Sequence, residues 1–105
     1  MAWHRVCRID EIPSEDVLPL EIDGRPLAVC AAQGGYYVFL DRCTHEDVAL
    51  SNGFLEGCEI ECPLHGSRFD IRTGKCLTPP ATDDVRTFTT KVEEGALYAE
   101  LPDNV

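Results

Sequence analysis

Apolar and polar side chains alternate in short runs along the whole chain, and the runs are separated by glycine, proline and aspartate. A period of two marks strands with one buried face. Such runs predict strands at residues 3–8, 17–22, 27–31, 36–41, 59–62, 68–70, 85–93 and 96–101. No stretch carries the longer period of an amphipathic helix, so the predicted class is all-β. Asp23-Gly24, Gln33-Gly34-Gly35 and Glu94-Gly95 are hairpin-type turns, which reverse a strand within a few residues and imply antiparallel pairing. Phe88, Thr90 and Val92 alternate toward one face, and Leu97, Ala99 and Leu101 do so on the returning strand. Sheets with one apolar face bury it against each other, so an antiparallel two-sheet β-sandwich or small barrel is expected.

Size narrows this to one domain spanning residues 1–105, because a chain of this length with 44% apolar residues fills a single modest core. The longest apolar stretch, residues 26–32, falls far short of the roughly eighteen residues of a membrane span. Met1-Ala2-Trp3-His4-Arg5 lacks the apolar block of a secretory signal, so a soluble cytoplasmic protein is expected. Nineteen acidic against nine basic residues give a formal charge of −10, which opposes binding to nucleic acid or anionic lipid. No surplus of apolar surface is evident in the composition, and a monomer is expected.

Candidate chemistry concentrates in two short hooks, Cys43-Thr44-His45 and Cys62-Pro63-Leu64-His65, separated by sixteen residues. Each supplies one thiolate and one imidazole. Such a set suits a tetrahedral zinc ion or a two-iron cluster in which histidines replace two cysteines on one iron. Zinc sites of this composition usually pair a Cys-Cys hook with a His-His hook. Mixed hooks suit two metals, since each loop can give a cysteine to one and a histidine to the other. Without a signal peptide, metal binding takes priority over a disulfide framework for the six cysteines. Cys7, Cys30, Cys58 and Cys76 are read as small apolar fillers, with a Cys58 to Cys76 disulfide as an open alternative.

In these ligands and their spacing the chain resembles the Rieske family, whose pattern is C-x-H, a spacer of about sixteen residues, then C-x-x-H. Residues 62–70, Cys-Pro-Leu-His-Gly-Ser-Arg-Phe-Asp, are similar to the family's second cluster-binding loop, and Thr73-Gly74-Lys75 followed by Pro79-Pro80 to its later turn and proline loop. The resemblance implies a Rieske fold, a sandwich of antiparallel sheets with a smaller cluster-binding subdomain at about residues 42–80. It also implies one [2Fe-2S] cluster, with Cys43 and Cys62 on one iron and His45 and His65 on the other, the histidine iron facing solvent. Closing the segment between the hooks costs about 2 to 3 kcal/mol of chain entropy, and ligation returns on the order of 10 kcal/mol in comparable zinc sites. The subdomain is therefore expected to depend on its metal. Around the ligands, Leu64 is read as a shield against water and Pro80 with Pro79 as a wall. Ser67 is a donor to a bridging sulfide or a loop hydroxyl bonded to backbone. Gly66 either lets backbone approach the cluster or simply makes a turn.

Family potentials span roughly −150 to +300 mV. Respiratory-chain members carry a disulfide joining the two loops, where this chain has Val48 and Leu64, and a tyrosine bonded to a cysteine sulfur, where it has Phe69. Fewer donors to sulfur, with Glu46 and Asp47 close by, place the potential low. With His45 and His65 used, only His4 remains, too few for the mononuclear iron site that oxygenation needs, so no enzyme is expected. The resemblance therefore implies the stand-alone ferredoxin of a bacterial aromatic ring-hydroxylating dioxygenase system. Its partners would be an NADH-dependent flavoprotein reductase and a terminal oxygenase. The acidity is read as solubility or as an acidic face for basic docking patches. Alternatives are the small Rieske-like subunit of an assimilatory nitrite reductase and, from another class, a zinc-stabilised interaction module.

Overall fold

The computed structural model describes residues 1–102, and the last three residues of the predicted domain lie outside the described residues. Among the described residues, ten strands build three antiparallel sheets. Strands β2 (Val17–Ile22), β3 (Arg25–Ala32), β4 (Gly35–Leu40) and the short β8 (Thr87–Phe88) form the middle sheet in that order. Strands β1 (Ala2–Arg8), β10 (Ala96–Leu101) and β9 (Thr90–Glu93) form a second sheet, and β5 (Phe54–Glu56), β6 (Glu59–Glu61) and β7 (Arg68–Asp70) a third.

The expected hairpins form because their turn residues accept the left-handed backbone conformation. Asp23-Gly24, Gln33-Gly34 and Glu94-Gly95 all have positive φ at both positions, the two-residue turn that matches strand twist. The second turn is one residue shorter than predicted, since Gly35 already pairs with Ala32 as the first residue of β4.

Alternation along β3 explains why the middle sheet is covered on both sides. Leu27 and Val29 enter a core with Val38, Phe88, Leu97, Ala99 and Leu101, against the β1-β10-β9 sheet. Ala28 and Cys30 enter the other core together with Phe39 of β4, against Leu50, Ile60, Phe69 and Ile71 of the third-sheet side. The sandwich expected from sequence is thus extended by a second interface, through which the subdomain packs onto the main body. Phe39 lies fully buried, and Tyr36 and Tyr37 pack half-buried against the two cores.

Two predictions are corrected. The strand predicted over residues 85–93 is divided: Phe88 pairs with Val38 in the middle sheet, while Thr90–Glu93 pairs with β10 in the second. A continuous alternation cannot reveal such a crossing, because both halves keep an apolar face. Val92 at the edge of its sheet is 46% exposed, unlike the buried Phe88. Strand β5 was not predicted; its Leu55 pairs with Ile60, which pairs with Phe69, forming the inward row of the third sheet. Short 3-10 turns at Ile9–Glu11 and Leu50–Asn52 complete the chain. Among the described residues no helix is long and apolar enough to cross a membrane.

Candidate metal centre

The first hook leaves β4 through Asp41, a buried carboxylate that accepts hydrogen bonds from the Ser51 N–H at 2.7 Å and the Ser51 hydroxyl at 2.6 Å. These bonds pin the start of the hook to the 3-10 turn that closes it. Inside, the Cys43 N–H donates to the Val48 carbonyl, and the Val48 N–H to the Glu46 carbonyl, both at 2.9 Å. The second hook follows β6 and is tighter. The Cys62 N–H donates to the Ser67 carbonyl at 2.8 Å, and the Gly66 N–H returns to the Cys62 carbonyl at 3.2 Å. Gly66 has φ +77°, so the turn by itself calls for glycine.

The proline loop is stitched to both hooks. The Ala81 N–H donates to Ser67 Oγ at 2.9 Å, and the Thr44 hydroxyl donates to the Asp83 carbonyl at 2.7 Å. Ser67 is fully buried and its oxygen accepts this backbone bond, which leaves the hydroxyl proton for an acceptor within the site. The Thr44 contact was not anticipated from sequence. Nothing in a spacing of 39 residues signals it.

The four ligand candidates separate into a closed and an open end. Cys43 and Cys62 are 3% and 1% exposed. Burial pushes the Cys62 thiol up, the Leu64 and His65 backbone amides bonded to it pull it down, and contact with Cys43 raises it. At the other end the His45 and His65 side chains are 38% and 49% exposed, with ring centroids 5.6 Å apart, edge to face. Glu46 lies between them, its Oε1 3.5 Å from His45 Nε2 and 3.2 Å from His65 Nε2. Leu64 is 55% exposed at the tip of the second hook, and Pro79 and Pro80, joined by a cis peptide, are exposed as well.

This arrangement can be tested against one ion and against two. A tetrahedral zinc with bonds of about 2.3 Å to sulfur and about 2.0 Å to nitrogen holds all four ligand atoms within roughly 4 Å of one another. Among the described residues, only His45, Glu46 and His65 bring three ligand atoms within 4.8 Å of each other. No thiol joins an imidazole pair at that distance. Two thiols at one end and two imidazoles at the other fit a two-iron cluster rather than one ion.

The remaining cysteines hold structural places. All six thiols are free, so Cys58 and Cys76 do not form the disulfide left open from sequence. Cys7, Cys30 and Cys58 lie buried, whereas Cys76 is half-buried, with its Sγ 3.0 Å from the Ala81 carbonyl oxygen.

Comparison with known proteins agrees with this geometry. The model of the Rieske [2Fe-2S] domain matches residues 2–89. The ferredoxin component of the naphthalene 1,2-dioxygenase system of Pseudomonas aeruginosa is 43% identical over 99 residues, covering 94% of this chain and 95% of its own. Among solved structures, the Sphingomonas yanoikuyae B1 ferredoxin superposes with a TM-score of 0.91 at 28% identity, over 96% of this chain and 100% of its own. The matching chain in a complex of reduced oxygenase and oxidized ferredoxin in carbazole 1,9a-dioxygenase gives a TM-score of 0.86 at 35% identity, over 92% of this chain and 91% of that one. With its three antiparallel sheets and its split thiol and imidazole ends, the chain belongs to the Rieske [2Fe-2S] family and carries one cluster of the Rieske type.

Proposed function

We propose that this chain is a soluble, cytoplasmic, monomeric electron carrier of an aromatic ring-hydroxylating dioxygenase system. It receives electrons singly from an NADH-dependent flavoprotein reductase and delivers them to a terminal oxygenase. Cys43, Cys62, His45 and His65 are the ligands.

The observation that carries this reading is the asymmetry of the site, with both thiols buried and both imidazoles open to solvent. When bound, the cluster supplies a centre that accepts and releases one electron, at a potential above that of all-cysteine clusters because imidazole is neutral. The chain's own residues bury the sulfur end, hold the hooks through Asp41, Ser67 and Thr44, and leave the imidazole edges as the port for partners. A substrate-oxidising iron site would need two further histidines and a carboxylate. The third histidine, His4, lies on β1 beside Asp23, at 3.9 Å. The names of the relatives as ferredoxin components of dioxygenase systems support the same reading.

Reconstitution with a flavoprotein reductase and a terminal oxygenase of this class tests it, following NADH consumption together with hydroxylated product. Product should require the cluster-loaded chain, and the rate should fall with added salt, because a net charge of −10 steers the protein to basic partner surfaces. Equal product in its absence would remove the assignment.

A further inference from the structure

Glu46 follows the ligand His45 directly, and it was read from sequence only as one of several nearby negative charges. The structure gives it a specific place. Its Oε1 lies 3.5 Å from Nε2 of His45 and 3.2 Å from Nε2 of His65, so one carboxylate oxygen reaches both imidazoles. Both Nε2 atoms thus lie on the Glu46 side of their rings, and Nδ1 is the nitrogen left to each ring for iron. The hook fixes the backbone from which the side chain extends, because the Glu46 carbonyl accepts from the Val48 N–H while the Val48 carbonyl accepts from the Cys43 N–H. Asp47, the next residue, does not share this role. It is 86% exposed on its side chain and pairs with Arg42 at 3.4 Å.

We propose that Glu46 lowers the potential of the cluster, acting as a shared hydrogen-bond acceptor for the two histidine ligands and fixing the orientation of both rings. The inference rests on His45 and His65 being the imidazole ligands. A ligating histidine that donates its distal N–H to a carboxylate becomes a stronger electron donor to the metal and loses its freedom to rotate. Greater donation favours the oxidised state of the adjacent iron. The carboxylate's negative charge acts in the same direction, since reduction adds a further negative charge beside it. A single oxygen bonded to both rings thus delivers two ligand effects and one charge effect. A distant acid on the same face contributes the charge effect alone.

The test is the midpoint potential of the cluster-loaded protein in three variants, measured by protein-film voltammetry alongside the reduced-state EPR spectrum. Glu46→Gln removes the charge and weakens the acceptor while keeping the shape. It should raise the reduced-to-oxidised ratio at a given electrode potential about tenfold, equivalent to about 59 mV for one electron. It should also shift the EPR g-values, which report the ring orientation. Asp47→Asn removes the same charge one residue away and should move the midpoint far less, with unaltered g-values. An unchanged midpoint in Glu46→Gln, or an equal shift in Asp47→Asn, would overturn the proposal. Should Glu46→Gln assemble no cluster, Glu46→Asp carries the test, because it retains the charge and withdraws the oxygen from the rings. A raised midpoint then supports the bridge, and a wild-type midpoint rejects it. Failure of the ligand assignment would show separately, as a wild-type protein without a rhombic EPR signal.

Discussion

At the scale of single residues, the six cysteines divide by environment. Two meet as a buried pair beneath the two exposed imidazoles, and the others take places fixed by packing. Cys30 illustrates the second kind. It points from β3 into the core shared with the subdomain, where burial first and the neighbouring Cys58 second push its thiol up to about 12. The unfolded chain releases this proton near the ordinary value of 9.0, whereas the folded chain keeps it until about 12. Stability from this group is therefore complete below the unfolded value and falls as pH rises through the interval, by about 1.4 kcal/mol per pH unit. Urea unfolding of the loaded protein at about pH 9 and about pH 11 should show this loss, and Cys30→Ala should flatten the slope. An identical slope in the variant would exclude Cys30 as its source. From sequence the thiol's role as filler was readable, because a small apolar residue within a strand run has few other uses. Its proximity to Cys58 was not.

At the scale of elements, local chemistry decided the hairpins and long-range packing decided the rest. Aspartate, glutamine or glutamate followed by glycine suits a two-residue turn in any context, so those reversals were legible in the sequence. Strand β5 was missed because three residues are too few for a periodic signal, and its existence depends on Leu55 finding Ile60 across the turn at Gly57. The third sheet also carries an ionic row. Arg68 lies 2.9 Å from Glu61, 3.4 Å from Glu59 and 3.5 Å from Glu56, so one guanidinium offsets three carboxylates on adjacent strands. Gly74 closes this element against the main body. Its φ is +83°, and an added Cβ would overlap the Val85 carbonyl oxygen, where the Val85 N–H already donates to the Gly74 carbonyl at 2.8 Å. Gly74→Ala should therefore destabilise the loaded protein by about 2 to 4 kcal/mol. Thermal unfolding checks this, and a midpoint within error of wild type would refute the close approach.

At the scale of the whole molecule, the middle sheet is a shared wall between two cores of different dependence. The core against β1, β9 and β10 contains no ligand candidate: strand pairing and apolar side chains close it, with the buried Arg25 donating to the Pro102 carbonyl at 3.0 Å. The core on the subdomain side includes Cys43 and Cys62 themselves, so its lining and the ligand candidates are partly the same residues. Removal of the cluster should raise hydrogen exchange across residues 42–80 and leave β3 and β10 protected. Exchange unchanged in that region after removal would show that the hooks hold without metal. The sequence by itself determined the all-β class, the hairpin turns and the identity of the four ligand candidates, because turn conformation, strand alternation and donor chemistry are properties of residues and short spacings. Only the tertiary structure decided that residues 85–93 serve two sheets, that Thr44 holds the proline loop, and that Glu46 reaches both imidazoles. Each of those depends on where distant backbone segments come to rest, and such placement follows from the packing of entire sheets.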